Sequence, residues 1–301
     1  MSKWKLYVLL TTVMAIWGLN VVAIKLLVSY FPASLMQGMR VLLAGVVVIL
    51  LLYVNKQLKK VSKKNIMAMF IAGIFGVFAH HLFLALGLTT STAANGGLIL
   101  GLVPLSTAVL AVIFLKERLT VAKVIGITLA LIGIYIMQGR SLAGITLGDI
   151  YLFAAVLAQA ISFILIKKMT DRVDSRQMTG MMLVSGSVLL LTVSPFLDNQ
   201  PSFKIIEVPL FVWFVFVLSA VLATSMGHML YNYAIHRLGA AETSIFNNLT
   251  PLFALVGASV LLQETIHTEQ IVGFIFIVSG VMLGTGTLEV IIRSRRVIKE
   301  T

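Results

Sequence analysis

The chain contains an internal repeat, in which identical residues recur 147 positions apart without a gap over roughly 50 positions. Matched leucines or valines would mean little in so apolar a chain. His, Pro and Glu are rare here, so their shared spacing indicates a duplication. The matched residues are His81 and His228, Ala93-Ala94 and Ala240-Ala241, Pro104 and Pro251, Glu117 and Glu264, Gly126 and Gly273, and Gly133 and Gly280. The sequence therefore predicts two copies of one folding unit.

The composition indicates that this unit lies in a membrane. Of the 301 residues, 59% are hydrophobic and only 11% are charged, which excludes an ordinary soluble core. A helix needs roughly 20 apolar residues to cross the hydrocarbon layer. Apolar runs predict ten such spans, near residues 5–27, 33–54, 66–88, 92–114, 121–138, 149–167, 177–197, 208–234, 240–262 and 270–292.

The spans are predicted to be helices, because they lack strand alternation and are far longer than the roughly ten residues of a barrel strand. Each half holds five spans, and an odd number makes the second half start on the opposite side of the membrane. The predicted fold is an all-α integral membrane protein with ten transmembrane helices in two inverted five-helix repeats. We expect the repeats at residues 1–139 and 145–292, followed by a basic cytoplasmic tail at 293–301.

The distribution of basic residues tests this topology independently. With a cytoplasmic N-terminus, 19 of the 23 Lys and Arg residues fall in inside segments, as the positive-inside rule requires. Both termini are therefore predicted to be cytoplasmic. The net charge of +12 then has a membrane explanation, which is attraction of basic loops to anionic lipid. Membrane lipid is the expected partner of these loops, and nucleic acid is not.

Several kinds of chemistry are excluded by missing residues or motifs. The chain has no cysteine, which removes disulfides, thiol catalysis and cysteine metal sites. It also lacks a phosphate-binding Gly-x-x-x-x-Gly-Lys-Ser/Thr loop, a Gly-x-Ser-x-Gly turn and a His-Glu-x-x-His helix. We therefore expect neither an enzyme nor an ATP-driven pump, and no cofactor or metal.

Specific residues resemble a known family. These are the segment AIWGLNVVAIK with Trp17 and Asn20, the following Pro32, and the segment MRVLLAG with Arg40. In both halves, moreover, a Glu is followed nine and sixteen residues later by glycines. Together with ten spans in a five-plus-five repeat, this combination resembles the EamA-type transporters of the drug/metabolite transporter superfamily over essentially the whole chain.

The resemblance implies a carrier in the cytoplasmic membrane, often an exporter of amino acids, other metabolites or drugs. It also implies alternating access between two helix bundles around a central cavity. The second half departs from the motif, because Ala160, Phe163 and Leu183 stand where an offset of 143 places Trp17, Asn20 and Arg40. The substrate is therefore left open.

The prolines suggest where a site would lie. Such carriers bind substrate near the bilayer midplane, where spans are interrupted by Gly or Pro. Pro104 and Pro251 fall near the centres of spans four and nine, where a proline is expected to kink the helix. Asn95 in span four and the pair Asn247-Asn248 in span nine would line the pocket. Alternatively, the kinks only allow helices to pack closely.

Span eight carries His228, Tyr231 and Asn232 on one helix face, which should point away from lipid. His228 and its repeat equivalent His81 are candidates for proton coupling, because histidine titrates near neutral pH. The alternative is that both are hydrogen-bonded packing residues.

The first two spans add further candidates. Arg40 and Lys25 are intramembrane cations that could attract an anionic or carboxylate-bearing substrate. Alternatively, Lys25 reaches lipid phosphate and Arg40 binds helix-end carbonyls. Trp17 and Asn20 lie one turn apart and would continue the same cavity wall.

The remaining repeated residues are interpreted as structural. Inverted topology would place Glu117 and Glu264 at opposite membrane surfaces, each at the turn that enters the next helix, where a carboxylate favours the N-terminus. The repeated glycines are seven residues apart on one face and predict close helix contacts, at Gly126, Gly133, Gly273 and Gly280.

The predicted function is secondary-active or facilitative transport of a small metabolite, such as an amino acid or drug-like compound. Export by alternating access around a midplane cavity is favoured, in a multi-pass protein of the cell membrane. The alternatives are a lipid-facing multidrug exporter or flippase, and a non-transport protein such as an intramembrane enzyme or interaction scaffold. A homodimer is left open.

Overall fold

The first half of the chain forms a series of helices separated by short connections. The structure is a computed structural model that describes residues 3–137, 145–167, 173–198, 203–238, 243 and 245–286. The elements of the first half are α1 (Lys3–Leu27), α2 (Ala33–Val54), α3 (Lys63–Gly73), a π-helical segment (Ile74–Ala79), α4 (His80–Thr90), α5 (Ala93–Leu100), α6 (Val103–Leu115) and α7 (Val121–Met137).

The second half follows a similar order. The predicted tail at 293–301 and the end of the tenth predicted span lie outside the described residues. The elements are α8 (Leu147–Lys167), α9 (Ser175–Leu197), a 3₁₀ turn (Ile205–Glu207), α10 (Leu210–Val217), a π-helical segment (Leu218–Met226), α11 (Gly227–Leu238), a 3₁₀ segment (Ile245–Leu249), α12 (Thr250–Leu262) and α13 (Thr268–Gly284).

The lengths of the helical segments fit a membrane protein. Within the described ranges, 7 segments are long and apolar enough to cross a membrane: Lys3–Leu27, Ala33–Val54, Lys63–Thr90, Ala93–Leu115, Leu147–Lys167, Ser175–Leu197 and Leu210–Tyr231. Shorter apolar helical segments occupy Val121–Met137, Phe246–Leu262 and Thr268–Gly284. The prediction of an all-α integral membrane fold is confirmed at this level.

The helices are irregular at corresponding places in the two halves. Ile74–Ala79 interrupts α3–α4 and Leu218–Met226 interrupts α10–α11, each with the wider turn of a π-helix. Pro104 and Pro251 lie in the first turns of α6 and α12. The expected kinks inside continuous helices are thus replaced by helix breaks, because a proline at a helix start has no partner to lose.

The two breaks lie against each other. A Cβ atom added to Gly101, which lies between α5 and α6, would come within 2.7 Å of the Pro251 ring. Likewise, a Cβ on Gly18 of α1 would lie 2.6 Å from the carbonyl oxygen of Thr250. The small residues therefore allow the interrupted helices to approach closely in the interior.

The apolar core has a large and a small part. The large cluster contains residues of α1, α4, α5, α8 and α12, including Leu27, Leu98 and Leu152. The small cluster joins α2 and α3 to α9 and includes Met69 and Met182. Polar residues of the interior lie among these helices rather than in a separate domain.

Helices α7 and α13 pack through the glycines that the sequence analysis singled out. A Cβ on Gly126 would lie 2.5 Å from the carbonyl oxygen of Gly280, and a Cβ on Gly133 would lie 2.9 Å from that of Gly273. The reciprocal distances, from Gly280 to Gly126 and from Gly273 to Gly133, are 2.5 and 2.8 Å. The backbones of the two helices are therefore in direct contact.

We predict that Gly126→Ala weakens this contact. The added methyl meets backbone atoms that cannot rotate away, and overpacking of this kind typically costs about 1–3 kcal/mol. The measurement is thermal unfolding of the detergent-purified protein. Gly73→Ala is the control, because its methyl would lie 3.3 Å from the movable Ser185 hydroxyl and 3.4 Å from the Met182 carbonyl oxygen, which is close to ordinary contact distance. Equal unfolding temperatures for the two variants would contradict the prediction.

Candidate functional site

Polar side chains from α1, α2, α4, α11 and the irregular segments meet in the interior. They form one connected group, which we call the central polar cluster. Its members are Trp17, Asn20, Arg40, His81, Ser219, Thr224, His228, Tyr231 and Asn247.

Trp17 anchors α1 to the second half of the chain. Its indole Nε1 donates a hydrogen bond of 3.0 Å to the carbonyl oxygen of Ala223. Its ring lies 5.2 Å from the ring of His228 and 5.1 Å from that of Tyr231, between centroids. Gly227 makes room for the indole, because a Cβ there would lie 2.6 Å from Nε1. Trp17 is thus a fixed wall of the cluster.

Tyr231 and Asn247 extend this wall to the 3₁₀ segment before Pro251. The Asn247 amide Nδ2 donates to the Tyr231 hydroxyl at 3.0 Å. The Asn247 Oδ1 atom is buried and has no hydrogen-bond partner among the described residues. A buried polar atom without a partner is uncommon and often indicates a missing ligand or water. Asn247 therefore offers an acceptor to a guest molecule.

Arg40 is the most buried charged residue of the cluster, with 0% exposure in the middle of α2. Its Nε donates to Gln37 Oε1 at 2.7 Å, and its Nη1 donates to Ser219 Oγ and Thr224 Oγ1 at 3.1 and 2.9 Å. Ser219 Oγ in turn donates to Asn20 Oδ1 at 2.5 Å. Arg40 therefore ties α1, α2 and the Leu218–Met226 segment together.

Three histidines lie beside this arginine, and their partners assign the tautomers of the neutral rings. His81 Nδ1 is 3.3 Å from Arg40 Nη2, which can only donate, so this nitrogen accepts. His80 Nδ1 and His228 Nδ1 face the carbonyl oxygens of Ala155 and Thr224, at 3.0 and 2.7 Å, so these nitrogens donate. His228 thus has an acceptor at Nε2 for which the described residues provide no hydrogen-bond partner, whereas His81 accepts from the Arg40 guanidinium.

The π-helical segment explains how the cluster is satisfied. A π turn leaves carbonyl groups without the usual partner four residues on. Here the Ser219 carbonyl accepts from Thr224 Oγ1 at 3.1 Å, and the Ala223 carbonyl accepts from Trp17. Side chains thus donate to carbonyl groups of this segment, in addition to the backbone bonds between residues five apart that define a π-helix. Sequence analysis missed Ser219 and Thr224 because their spacing of five residues does not match an α-helical face.

Other predicted site residues lie elsewhere or cannot be placed. Asn95 accepts from Gln270 Nε2 at 2.8 Å, near the start of α5 and away from the cluster. Asn248 is partly exposed beside Asn247. The side chain of Asn232 lies outside the described residues. Gln37, which the sequence analysis did not name, accepts a hydrogen bond directly from Arg40.

A second polar network closes one end of the bundle, which we call the Glu264 end. The Glu264 carboxylate accepts from the backbone amides of Ala93 and Ala94, at 2.9 and 3.1 Å. The expectation that Glu264 serves the helix that follows it is therefore wrong, because it caps α5 instead. Lys25 Nζ donates to the carbonyl oxygens of Leu88 and Ser91, at 2.8 and 2.7 Å, and so caps the end of α4.

Further hydrogen bonds reinforce the Glu264 end. Ser91 Oγ donates to Asp149 Oδ1 at 2.5 Å, which joins the α4–α5 turn to α8. The Asp198 carboxylate accepts from the backbone amides of Ser34 and Leu35, at 3.1 and 2.8 Å, and so caps α2. Helix ends from both halves of the chain are therefore connected here.

The repeat equivalent of Glu264 has different surroundings at the opposite end, which we call the Glu117 end. Glu117 pairs with Lys123 at 3.2 Å and with Lys167 at 2.9 Å, and 39% of its side chain is exposed. The hydrogen bond from Lys167 is the main cause that lowers the pKa of the Glu117 carboxyl below its ordinary value. Ala240 and Ala241, the repeat equivalents of Ala93 and Ala94, lie outside the described residues.

The cluster does not resemble a metal site. Within the described ranges, no group of three or more His, Cys, Asp or Glu side chains could hold a metal ion. Its groups are mainly neutral side chains that accept hydrogen bonds from one cation, and they lie between irregular helices. Such an arrangement suits the recognition of a small molecule inside a membrane protein.

Comparison with known proteins gives the family. The EamA-like transporter family matches residues 4–138 and 146–285. The uncharacterized transporter YyaM of Bacillus subtilis is 29% identical over 297 residues, which cover 96% of each chain. An uncharacterized transporter of Archaeoglobus fulgidus is 26% identical over 283 residues, covering 94% of this chain and 98% of the relative.

A solved crystal structure of another protein shares the fold. It is 18% identical, has a TM-score of 0.65, and covers 94% of this chain and 97% of its own. The chain belongs to the EamA-like transporter family. It is therefore a multi-pass membrane transporter of a small molecule rather than an enzyme, which confirms these sequence predictions.

We predict that the two repeated glutamates contribute unequally to stability. Glu264→Ala removes two hydrogen bonds to a charged group and is expected to cost about 1.5–3 kcal/mol. Glu117→Ala removes exposed ion pairs and should cost at most about 1 kcal/mol. The measurement is thermal unfolding of the purified variants.

The Glu117 contribution also has a predicted pH dependence. Because its pKa is lowered in the folded protein, its contribution is present at neutral pH and disappears as the pH falls through the ordinary carboxyl range. High salt should weaken it as well. Equal losses for Glu264→Ala and Glu117→Ala would contradict the assignment of Glu264 as a cap.

Proposed function

We propose that the protein is a secondary carrier that moves a small metabolite by alternating access around the central polar cluster. The observation that supports it is that the cluster takes Ser219 and Thr224 from the π-helical segment Leu218–Met226, and that the corresponding segment of the first half, Ile74–Ala79, ends two residues before His81. Discontinuous helices of this kind form midplane sites in transporters. A protein that served only as an interaction scaffold would not need such irregular helices.

The proposal includes ten spans in two inverted repeats with both termini in the cytoplasm. In that topology, four polar residues lie in the outer loops or beside them: Lys25, Ser91, Asp198 and Glu264. The contacts at the Glu264 end join these residues. Contacts among the predicted inner segments include Lys59 with Gln177 and Glu117 with Lys167. This separation of contacts supports the topology.

The two ends also support a conformational assignment. The Glu264 end is held by capping bonds between helices, whereas Glu117 makes surface ion pairs. We therefore propose a state closed on the outer side. Transport requires the Glu264 contacts to break.

Export across the cell membrane extends this proposal. Uncharacterized transporters of Bacillus subtilis are among the relatives, and a bacterial cell membrane fits the basic inner loops. The polar lining argues for a hydrophilic guest over a lipid, because Arg40, Gln37 and Ser219 are fully or almost fully buried. Lipid flipping and multidrug export are the alternatives to this proposal. A broad substrate panel would reveal either of them.

We predict that purified protein in liposomes moves at least one small metabolite, and that Asn247→Ala lowers this flux about tenfold, the effect of losing a hydrogen bond in a buried site. The assay uses amino acids, nucleosides, organic acids and cationic drugs, with and without a pH gradient. A flux that rises with the gradient indicates proton coupling.

Asn55→Ala is the matched control, because this exposed asparagine bonds only within its own helix end. It should insert and transport normally. No flux above empty vesicles for the whole panel would overturn the carrier proposal.

A second prediction concerns the closed outer end. The cysteine-free chain allows a single cysteine to report accessibility. Ser91→Cys lies at a position with 3% exposure and should react slowly with an impermeant maleimide added outside intact cells. Adding Glu264→Ala should accelerate the reaction, because the capping bonds to α5 are lost.

Thr89→Cys provides the control for this experiment. Thr89 is exposed two residues away, so its cysteine should react rapidly with or without Glu264. Unreactive Thr89→Cys from outside would contradict the topology. Rapid labelling of Ser91→Cys in the chain with Glu264 intact would contradict the closed state.

A further inference from the structure

Among the residues that the structure describes, no acidic side chain neutralises the positive charge of Arg40. The guanidinium is fully buried in a membrane span, and its described partners are the neutral groups of Gln37, Ser219, Thr224 and His81. None of the ion pairs among the described residues involves it. Neutral acceptors reduce the cost of burial but leave one net charge in a low-dielectric interior.

A second observation independently indicates a missing acceptor. Gln37 is 0% exposed, and its Oε1 atom accepts from Arg40 Nε. Its amide Nε2 atom, a donor in the same planar group, is buried without a hydrogen-bond partner. Two buried donor groups, one charged and one neutral, therefore lie together, and the described part of the chain places no negative group beside them.

The geometry also indicates from which side an anion would approach. Arg40 Nε is held by α2 itself, and Nη1 is held by the Leu218–Met226 segment. Nη2 is contacted only by His81 among the described residues. His81, unlike Arg40, is partly exposed. The Nη2 edge is thus the side that a guest can reach.

The neutral tautomer of His81 adds another donor at this edge. Because His81 Nδ1 accepts from Arg40, the proton of the neutral ring lies on Nε2. The edge then presents donors from the guanidinium and the imidazole. One guanidinium charge is balanced by one carboxylate, whereas a doubly charged phosphate would leave an excess negative charge.

We propose that Arg40, Gln37 and His81 form the binding site for the carboxylate of a small monoanionic substrate. The inference rests on the proposed carrier function and specifies its substrate class. The carboxylate supplies the charge that the span lacks, so binding is strongest for guests that bring one negative group. A neutral compound of the same shape leaves the positive charge of Arg40 without a counter-charge.

The first experiment compares charged and neutral versions of the same compound on the full-length protein. The probes are lactate with lactamide and N-acetylalanine with N-acetylalaninamide, at neutral pH. We expect the carboxylates to raise the unfolding temperature of the detergent-purified protein and to cross liposomes at least about tenfold faster than their amides, the effect of one charge-assisted hydrogen bond. Equal shifts for acid and amide would overturn the proposal.

Two variants then locate the effect. Arg40→Gln should lower carboxylate flux and abolish the acid-specific shift. Gln37→Glu keeps Arg40 and places a carboxylate of the protein beside it, so it should fold well and yet lose the preference for carboxylate guests. A Gln37→Glu protein that retains this preference would contradict the assignment. This variant also covers the case in which Arg40→Gln does not fold.

Gln57→Glu is the matched control. Gln57 Oε1 accepts from Arg176 Nη1 at 3.0 Å, so the same substitution places a carboxylate beside an arginine at the surface. It should leave binding and flux unchanged. Flux of amides or cations but not of carboxylates would preserve the carrier function and overturn the anion site. An acid-specific thermal shift without any flux would support the anion site and overturn the carrier function.

Discussion

The hydrocarbon interior offers no water to polar groups, so every such group in a span must find a partner within the protein. Arg40 is the most demanding case, since its guanidinium is buried in the middle of α2. It is satisfied by hydroxyl groups on a π-helical segment far along the chain, at Ser219 and Thr224. The wider π turn brings Ser219 and Thr224 to the same side of the helix, although a spacing of five residues would separate them on a regular α-helix. This interaction joins α2 to the second half of the chain, in addition to the apolar packing of α2 against α9.

The two halves share a scaffold but differ in their polar chemistry. The π-helical interruptions and the proline-started helices recur at matching places. Trp17 and Arg40, by contrast, have Ala160 and Leu183 at the aligned positions of the second half. In the proposed carrier, the repeated scaffold provides helix junctions in both halves. A single asymmetric set of side chains then supplies the recognition of the substrate.

The same asymmetry applies to the two ends of the bundle. Glu264 and Glu117 are equivalent in the repeat, yet Glu264 caps a helix of the other half while Glu117 pairs with surface lysines. A capping carboxylate connects two helices only while their ends stay together. Equivalent residues in unlike environments are therefore consistent with a transporter that closes its two ends in turn, and the proposed substrate would reach Arg40 from the partly exposed His81 side.

Hydropathy, the repeat and the rare residues of the sequence were enough to predict the all-α membrane class and the family, because these are patterns along the chain. They also singled out Trp17 and Arg40, which lie in the interior, and the glycines between α7 and α13. The folded structure was needed to show that prolines begin new helices, that Glu264 caps α5, and that Gln37, Ser219 and Thr224 surround Arg40. The physical reason is that partners of buried polar groups are chosen by packing between distant helices. A π turn further shifts the face on which later side chains lie, so α-helical periodicity cannot reveal them.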